Sequence, residues 1–139
     1  MLECLILGDS IAVGIAQQRP ECVVLAKGGI NSWQFNNKNI TNLKSAKTAI
    51  ISLGSNDHKG VRTKRELQTL REMVDAEIVF WILPHGNLKA SGVDIEQIQI
   101  FVREIAADFR DIVLPIASIS TDGIHPTSKG YKLLANQTR

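Results

Sequence analysis

Four clusters of small and reactive side chains punctuate the 139-residue chain: Gly8-Asp9-Ser10, Lys27-Gly28-Gly29, Gly54-Ser55-Asn56-Asp57 and Asp122-Gly123-Ile124-His125. A serine that opens a helix holds its hydroxyl near free backbone N–H groups, which favour developing negative charge. An Asp-x-x-His step lets a carboxylate hold one imidazole nitrogen while the other acts as a base. An asparagine amide can donate to an oxyanion, and paired glycines let backbone approach a ligand closely. Each also has a commoner structural use. Ser10 suits a helix cap, Asn56 a turn, Gly28-Gly29 a chain reversal, and Asp122 with His125 a turn beside an exposed imidazole. The informative feature is that all four occur together, and in this order.

Other catalytic templates are absent. No serine sits in a Gly-x-Ser-x-Gly elbow, because position 12 is Ala12. No two glycines stand two apart, so the dinucleotide fingerprint is missing, and so is a Walker loop. His58, His85 and His125 lack any metal-ligand spacing such as His-Glu-x-x-His, so no metal or other cofactor is expected. The basic cluster Lys59, Arg62, Lys64, Arg65 and Arg71 reads as a solvated helix face. Cys4 and Cys22 form no Cys-x-x-Cys and are too few for a disulfide framework; they read as buried free thiols.

The elements that must position these residues follow from short apolar runs. Leu2–Leu7, Val23–Ala26, Ala49–Leu53, Ile78–Leu83 and Ile112–Ile116 suit strands covered on both faces. Helical spacing lies between them. From Asp94 as N-cap, with Ser91-Gly92 as the upstream breaker, Ile95, Ile98, Phe101 or Val102, Ile105 and Phe109 recur at three- and four-residue steps. A second helix spans Thr63 to Val74, with Thr63 capping, Glu66 closing a capping box, and Leu67, Leu70 and Val74 facing inward. Ser10–Gln18 and Pro126–Asn136 read as the first and last helices, Pro126 taking the first helical position. The Asn-rich stretch Ser32–Lys44 reads as loop plus a short irregular helix.

Strands alternating with helices imply a parallel sheet. Five strands in so short a chain favour an α/β fold, a three-layer α/β/α sandwich of flavodoxin-like order 2-1-3-4-5, as one domain over residues 1–139. Ligands in such sheets sit beyond the carboxyl ends of the strands. That is where the four clusters fall.

Composition narrows the partners. Lys and Arg total 16 against 14 Asp and Glu, giving a formal charge of +2. That is far from the basic excess of a protein that neutralises many phosphates, so nucleic acid is not an expected partner. No run of about 18 apolar residues suggests a membrane span. No basic segment precedes the first apolar run and no cleavage site follows it, so a cytoplasmic location is expected, although a mature secreted form would look the same.

The ordered motifs resemble those of the SGNH hydrolases, also called the GDSL-like lipase/acylhydrolase family. Gly8-Asp9-Ser10-Ile11 resembles the first family block, Gly54-Ser55-Asn56-Asp57 the third, and Asp122-Gly123-Ile124-His125-Pro126-Thr127 the last, followed by Gly130-Tyr131. The resemblance implies Ser10 as nucleophile, His125 as general base and Asp122 as its orienter. It implies an oxyanion hole of the Ser10 N–H, the Asn56 amide and a donor from the second block. That block departs from the family pattern: Gly28-Gly29-Ile30-Asn31-Ser32 puts Ser32 where one alignment expects glycine. Gly29 is the favoured donor, with Gly28 and Ser32 as alternatives.

The expected function is a serine esterase or acylhydrolase on a small-molecule or carbohydrate ester, with carbohydrate O-deacetylation as one version. Ile11 and Trp33 are candidate pocket walls, and the short chain predicts an open, shallow site without a lid. The rival expectation, from a different class, is a non-catalytic flavodoxin-like module that binds a small ligand or serves assembly.

Overall fold

A computed structural model describes residues 1–86 and 92–139. Its parallel sheet has the order β2-β1-β3-β4-β5, formed by β1 Leu2–Gly8, β2 Val23–Ala26, β3 Ala46–Ser52, β4 Ala76–Ile82 and β5 Ile112–Leu114. The helices are α1 Ser10–Gln17, α2 Ser32–Asn39, α3 Thr63–Met73, α4 Ile95–Phe109 and α5 Ser128–Gln137. This is the expected three-layer α/β sandwich in the expected strand order. No described helix is long and apolar enough to cross a membrane.

Strand side chains alternate between two cores, as pleating requires. Leu5, Leu7, Ala49, Ile51, Val79 and Trp81 pack with Phe35 of α2, Leu67 and Leu70 of α3, and Val102 and Ile105 of α4. Cys4, Ile6, Ile50, Phe80 and Ile82 face the other way, against Ile11 and Ile15 of α1 and Leu134 of α5. Burial on both sides explains why the strands read as continuous apolar runs.

Several local expectations are corrected. The Asn-rich stretch is a short helix followed by loop, as expected, but the helix Ser32–Asn39 is regular, because Asn31 and Gln34 make a reciprocal capping box: the Asn31 side chain accepts from the Gln34 N–H and the Gln34 side chain from the Asn31 N–H. No such box forms at α3. Thr63 Oγ1 instead donates to Asp57 at 2.7 Å, Glu66 accepts from Asn36 at 2.9 Å, and Arg62 is the N-cap without a side-chain bond. Pro126 does not start α5; it pairs with Ile119 in an antiparallel bridge, and Thr127 caps the helix by accepting from the Gly130 N–H. Asp94 does cap α4, accepting from the Glu96 N–H at 3.0 Å. Its upstream breaker includes Ser91, which lies outside the described residues.

The cysteines are not free. Cys4 on β1 and Cys22 just before β2 form a disulfide, because parallel pairing of Leu5 with Val23 brings their neighbours side by side. Arg71 is not part of a solvated face either. It is buried, and its guanidinium holds Asp111 through two bonds of 2.6 and 3.0 Å, while Trp81 Nε1 donates to the same carboxylate.

Candidate active site

The site begins where β1 ends. Gly8 sits at φ +141°, and a Cβ there would lie 1.8 Å from the Ser52 carbonyl oxygen. Only glycine permits the approach that lets the Asp9 N–H reach Ser52 O at 3.0 Å. Asp9, not Ser10, is the N-cap of α1, its side chain accepting from the Ile11 N–H at 3.0 Å and from Ser52 Oγ at 3.1 Å. Ser10 is thereby left as the first helical residue, half-buried, with its hydroxyl uncommitted to capping.

Asp9 itself is fully buried. Loss of water around its carboxyl pushes the pKa up to about 6, against the lowering pull of its bonds from Ser52 and backbone N–H groups. Tyr131 of α5 packs on Gly14 of α1. Burial, with the charges of Asp9 and Asp122, pushes its phenol up.

Asp122 and His125 occupy the tip of a hairpin-like loop whose stem pairs Ser118 with Thr127 and Ser120 with His125. Asp122 Oδ1 accepts from the N–H groups of Ile124 and His125 and from Ser120 Oγ, at 2.7 to 2.9 Å. Those backbone donors, then the imidazole and the Ser120 hydroxyl, hold the Asp122 carboxyl well below the usual carboxylate range. An ionised carboxylate only accepts, so the 2.7 Å contact between Asp122 Oδ2 and His125 Nδ1 places a proton on Nδ1. The neutral ring then presents Nε2 as an acceptor, and Nε2 lies 2.8 Å from Ser10 Oγ. His85 steadies the same loop, its Nδ1–H donating to Gly123 O at 2.7 Å.

Asn56 lies beside the second loop. Its Nδ2 donates one N–H to Ile30 O at 3.2 Å, which fixes the amide plane and leaves the other N–H uncommitted. Among the second-block residues, a Cβ at Gly28 would lie 3.8 Å from Ser10 Cβ, so Gly28 borders the serine. Gly29 takes φ +79° in the turn closed by the Ile30 N–H on Lys27 O. The N–H groups of both glycines make no hydrogen bond to another described residue. Ser32 differs: its N–H and Oγ both donate to the buried Asp57, at 2.8 and 2.6 Å. That removes Ser32 as an available donor.

Of the candidate pocket walls, Trp33 is 55% exposed and lines a concavity with Asn31, Arg62 and Arg65. Ile11 is a correction. At 1% exposure it packs under α1 in the core, because the helix turns that face onto the sheet. The three histidines belong to no metal-capable cluster among the described residues; the one such group, Cys4, Glu21 and Cys22, has its sulfurs joined in the disulfide. Sequence reasoning missed Ser120, His85 and Asp57, whose roles lie in contacts with other loops. Asp57 had a signal in its place beside Asn56.

No protein-family model matches the chain, and no curated protein does. Solved structures do. A member of the lipolytic G-D-S-L family from Veillonella parvula superposes with a TM-score of 0.70 at 16% identity, over 99% of this chain and 96% of the other. The chain has the SGNH-hydrolase fold. The same fold is seen in the C-terminal catalytic domain of a peptidoglycan O-acetyltransferase from Streptococcus pneumoniae, with a TM-score of 0.68 at 16% identity over 96% and 88% of the two chains. It is seen again in a psychrotrophic esterase from Pseudoalteromonas, with a TM-score of 0.66 at 16% identity over 99% and 94%. In this SGNH fold, the Ser10–His125–Asp122 chain joins the loop after β1 to the loop after β5.

Proposed function

We propose that the chain is a serine acylhydrolase of the SGNH type, cleaving carboxylic esters of small molecules or carbohydrates, O-deacetylation included. The observation that carries the reading is the continuous path Ser10 Oγ–His125 Nε2 at 2.8 Å and His125 Nδ1–Asp122 Oδ2 at 2.7 Å. A capped, solvated surface histidine would not need both neighbours.

The chemistry follows from those positions. Ser10 Oγ forms a bond to the ester carbonyl carbon while His125 Nε2 takes the hydroxyl proton. The carbonyl π pair moves to oxygen, and the negative charge falls to the N–H groups of Ser10 and of Gly28 or Gly29 and to the free N–H of Asn56. Collapse of this intermediate breaks the bond to the alkoxy oxygen, which leaves as an alcohol with the proton from His125. Water then gives a proton to His125, attacks the acyl-enzyme, and the acid departs as Ser10 regains its proton. Asp122 stays ionised throughout and stabilises the imidazolium. No cofactor is needed for any step.

The test is covalent. A serine-reactive phosphonate should label folded wild-type protein at Ser10, and short-chain nitrophenyl esters should be hydrolysed with loss of turnover in Ser10→Ala. Absence of both labelling and hydrolysis in the folded protein would leave the non-catalytic binding module as the better reading.

A further inference from the structure

The loop that follows Asn56 leads along two basic concavities. One, of about 610 Å³, lies between the N-terminal ends of α3 and α4, with Lys59, Arg62 and Arg65 on its wall beside the apolar Val93 and Phe101. The other, of about 500 Å³, shares Arg62 and Arg65 and extends to Asn31 and Trp33. His58 lines both. Neither is lined by Ser10, Asn56 or His125, but both are lined by close chain neighbours of the candidate oxyanion hole. His58 is two residues beyond Asn56, and Asn31 follows Ile30, whose carbonyl holds the Asn56 amide.

Charge in this region is poorly neutralised. Lys64 is engaged by Glu104 at 3.0 Å. Lys59, Arg62 and Arg65 form no ion pair with another described residue. The acidic groups on the same walls already accept bonds: Asp94 from the Glu96 N–H and Glu66 from the Asn36 amide. Arg62 gives α3 no side-chain cap, so the positive end of that helix adds to the field, offset in part by the buried Asp57 that accepts from Thr63 at its start. Lys59, Arg62, Lys64 and Arg65 are all exposed, as expected of a solvated helix face, and Arg62 and Arg65 line both hollows.

We propose that this basic concavity binds an anionic group, carboxylate or phosphate, carried by the ester substrate away from the bond that Ser10 cleaves. Guanidinium forks match the planar or tetrahedral oxygens of such groups. The half-exposed Trp33 and the aliphatic stems beside it suit the ring or chain that bears the charge. The proposal rests on the acylhydrolase reading for its substrate, though the anion site itself does not.

Two measurements separate the two claims. First, an O-acetylated uronic acid and an O-acetylated sugar phosphate are compared with the neutral O-acetylated sugar as substrates. The expected kcat/KM preference for at least one anionic ester is about tenfold or more at low salt, declining as ionic strength rises. Which anion gains identifies carboxylate or phosphate as the source. In Arg62→Ala/Arg65→Ala the preference should collapse towards one, and in Arg62→Glu/Arg65→Glu it should reverse; circular dichroism checks that each variant is folded. Second, glucuronate and inorganic phosphate are titrated into Ser10→Ala while backbone amide resonances are followed. Saturable shifts centred on residues 58–65, absent from the charge-reversed protein, support the site even if no ester is cleaved. Hydrolysis of the neutral ester with no anionic preference and no such shifts would overturn the anion site and leave the acylhydrolase reading standing.

Discussion

Asp57 receives both the N–H and the hydroxyl of Ser32, at 2.8 and 2.6 Å, across 25 positions of sequence. A third bond comes from Thr63 Oγ1 at 2.7 Å. One fully buried carboxylate therefore ties the start of α2 and the start of α3 to the loop that carries Asn56. The loop after β2 and the loop after β3 are set relative to each other by this group. That relation sets Asn56 against Ile30, in the same turn whose Gly28 borders Ser10.

Asp57→Ala leaves three donors without their acceptor in a buried setting, where an unsatisfied group costs about 1–3 kcal/mol. We expect a loss of stability of about 3 kcal/mol, measured by urea denaturation. Turnover should fall as well, because the Asn56 amide loses its anchorage. Asp57→Asn keeps one acceptor and should recover part of both. A variant with unchanged denaturation midpoint would show that the three bonds are dispensable.

Asn56→Ala tests the oxyanion hole directly. Loss of one such donor lowers turnover by roughly 10²–10³-fold. The lost bond to Ile30 O is partly exposed, so the thermal midpoint should move little. The effect should fall on kcat with KM nearly unchanged, since the donor acts on charge that appears only in the transition state. Full activity in a folded Asn56→Ala would remove Asn56 from the site.

Much of this was open to sequence reasoning because it is local. A helix-opening Ser10, the three-residue step from Asp122 to His125, and the Ile98–Val102–Ile105 face of α4 all depend on neighbours along the chain. The strand order followed from element alternation and short length. What stayed hidden depends on contacts between distant segments. Thr63 and Glu66 have the spacing of a capping box, yet Asp57 and Asn36 claim them from other loops. Ser32 to Lys44 read as loop plus an irregular helix; the Asn31–Gln34 box and one buried face, with Phe35, Asn36 and Asn39, make that helix regular. The cysteines seemed unrelated until β-pairing set them together.

Asp9 gives stability an unusual pH dependence. Its folded pKa of about 6 lies above the ordinary 3.8, so the folded state holds this proton more tightly than the unfolded chain. As pH rises from about 4 through about 6, Asp9 must ionise in a buried site, and its contribution turns against folding by about 3 kcal/mol. Asp122 acts in the opposite sense. Its lowered pKa contributes stability above the ordinary 3.8 that is lost only as pH falls below that value. The two windows do not overlap. Wild-type stability, followed by denaturation from pH 4 to pH 7, should therefore carry a falling component that disappears in Asp9→Asn. An unchanged slope in that variant would assign the component elsewhere.

The Cys4–Cys22 bond closes a separation of 18 residues that contains Ser10 and all of α1. Cross-linking a loop of this size restricts the unfolded chain and stabilises by about 3 kcal/mol on the chain-entropy argument. Both sulfurs are buried against the core beneath α1, so reduction needs the local structure to open first. We expect a reductant to lower the urea midpoint, and Cys4→Ala/Cys22→Ala to lower it without reductant. Turnover at a temperature where the variant stays folded should change little, because neither cysteine touches Ser10, His125 or Asp122. Disulfides persist in oxidising surroundings and are rare in the cytosol, so the bond bears on the expected cytoplasmic location. Trapping free thiols with an alkylating agent at cell lysis and counting the adducts by mass decides the point. Two alkylated cysteines per chain would mean that the pair is reduced where the protein works, and the stabilisation would then be absent there.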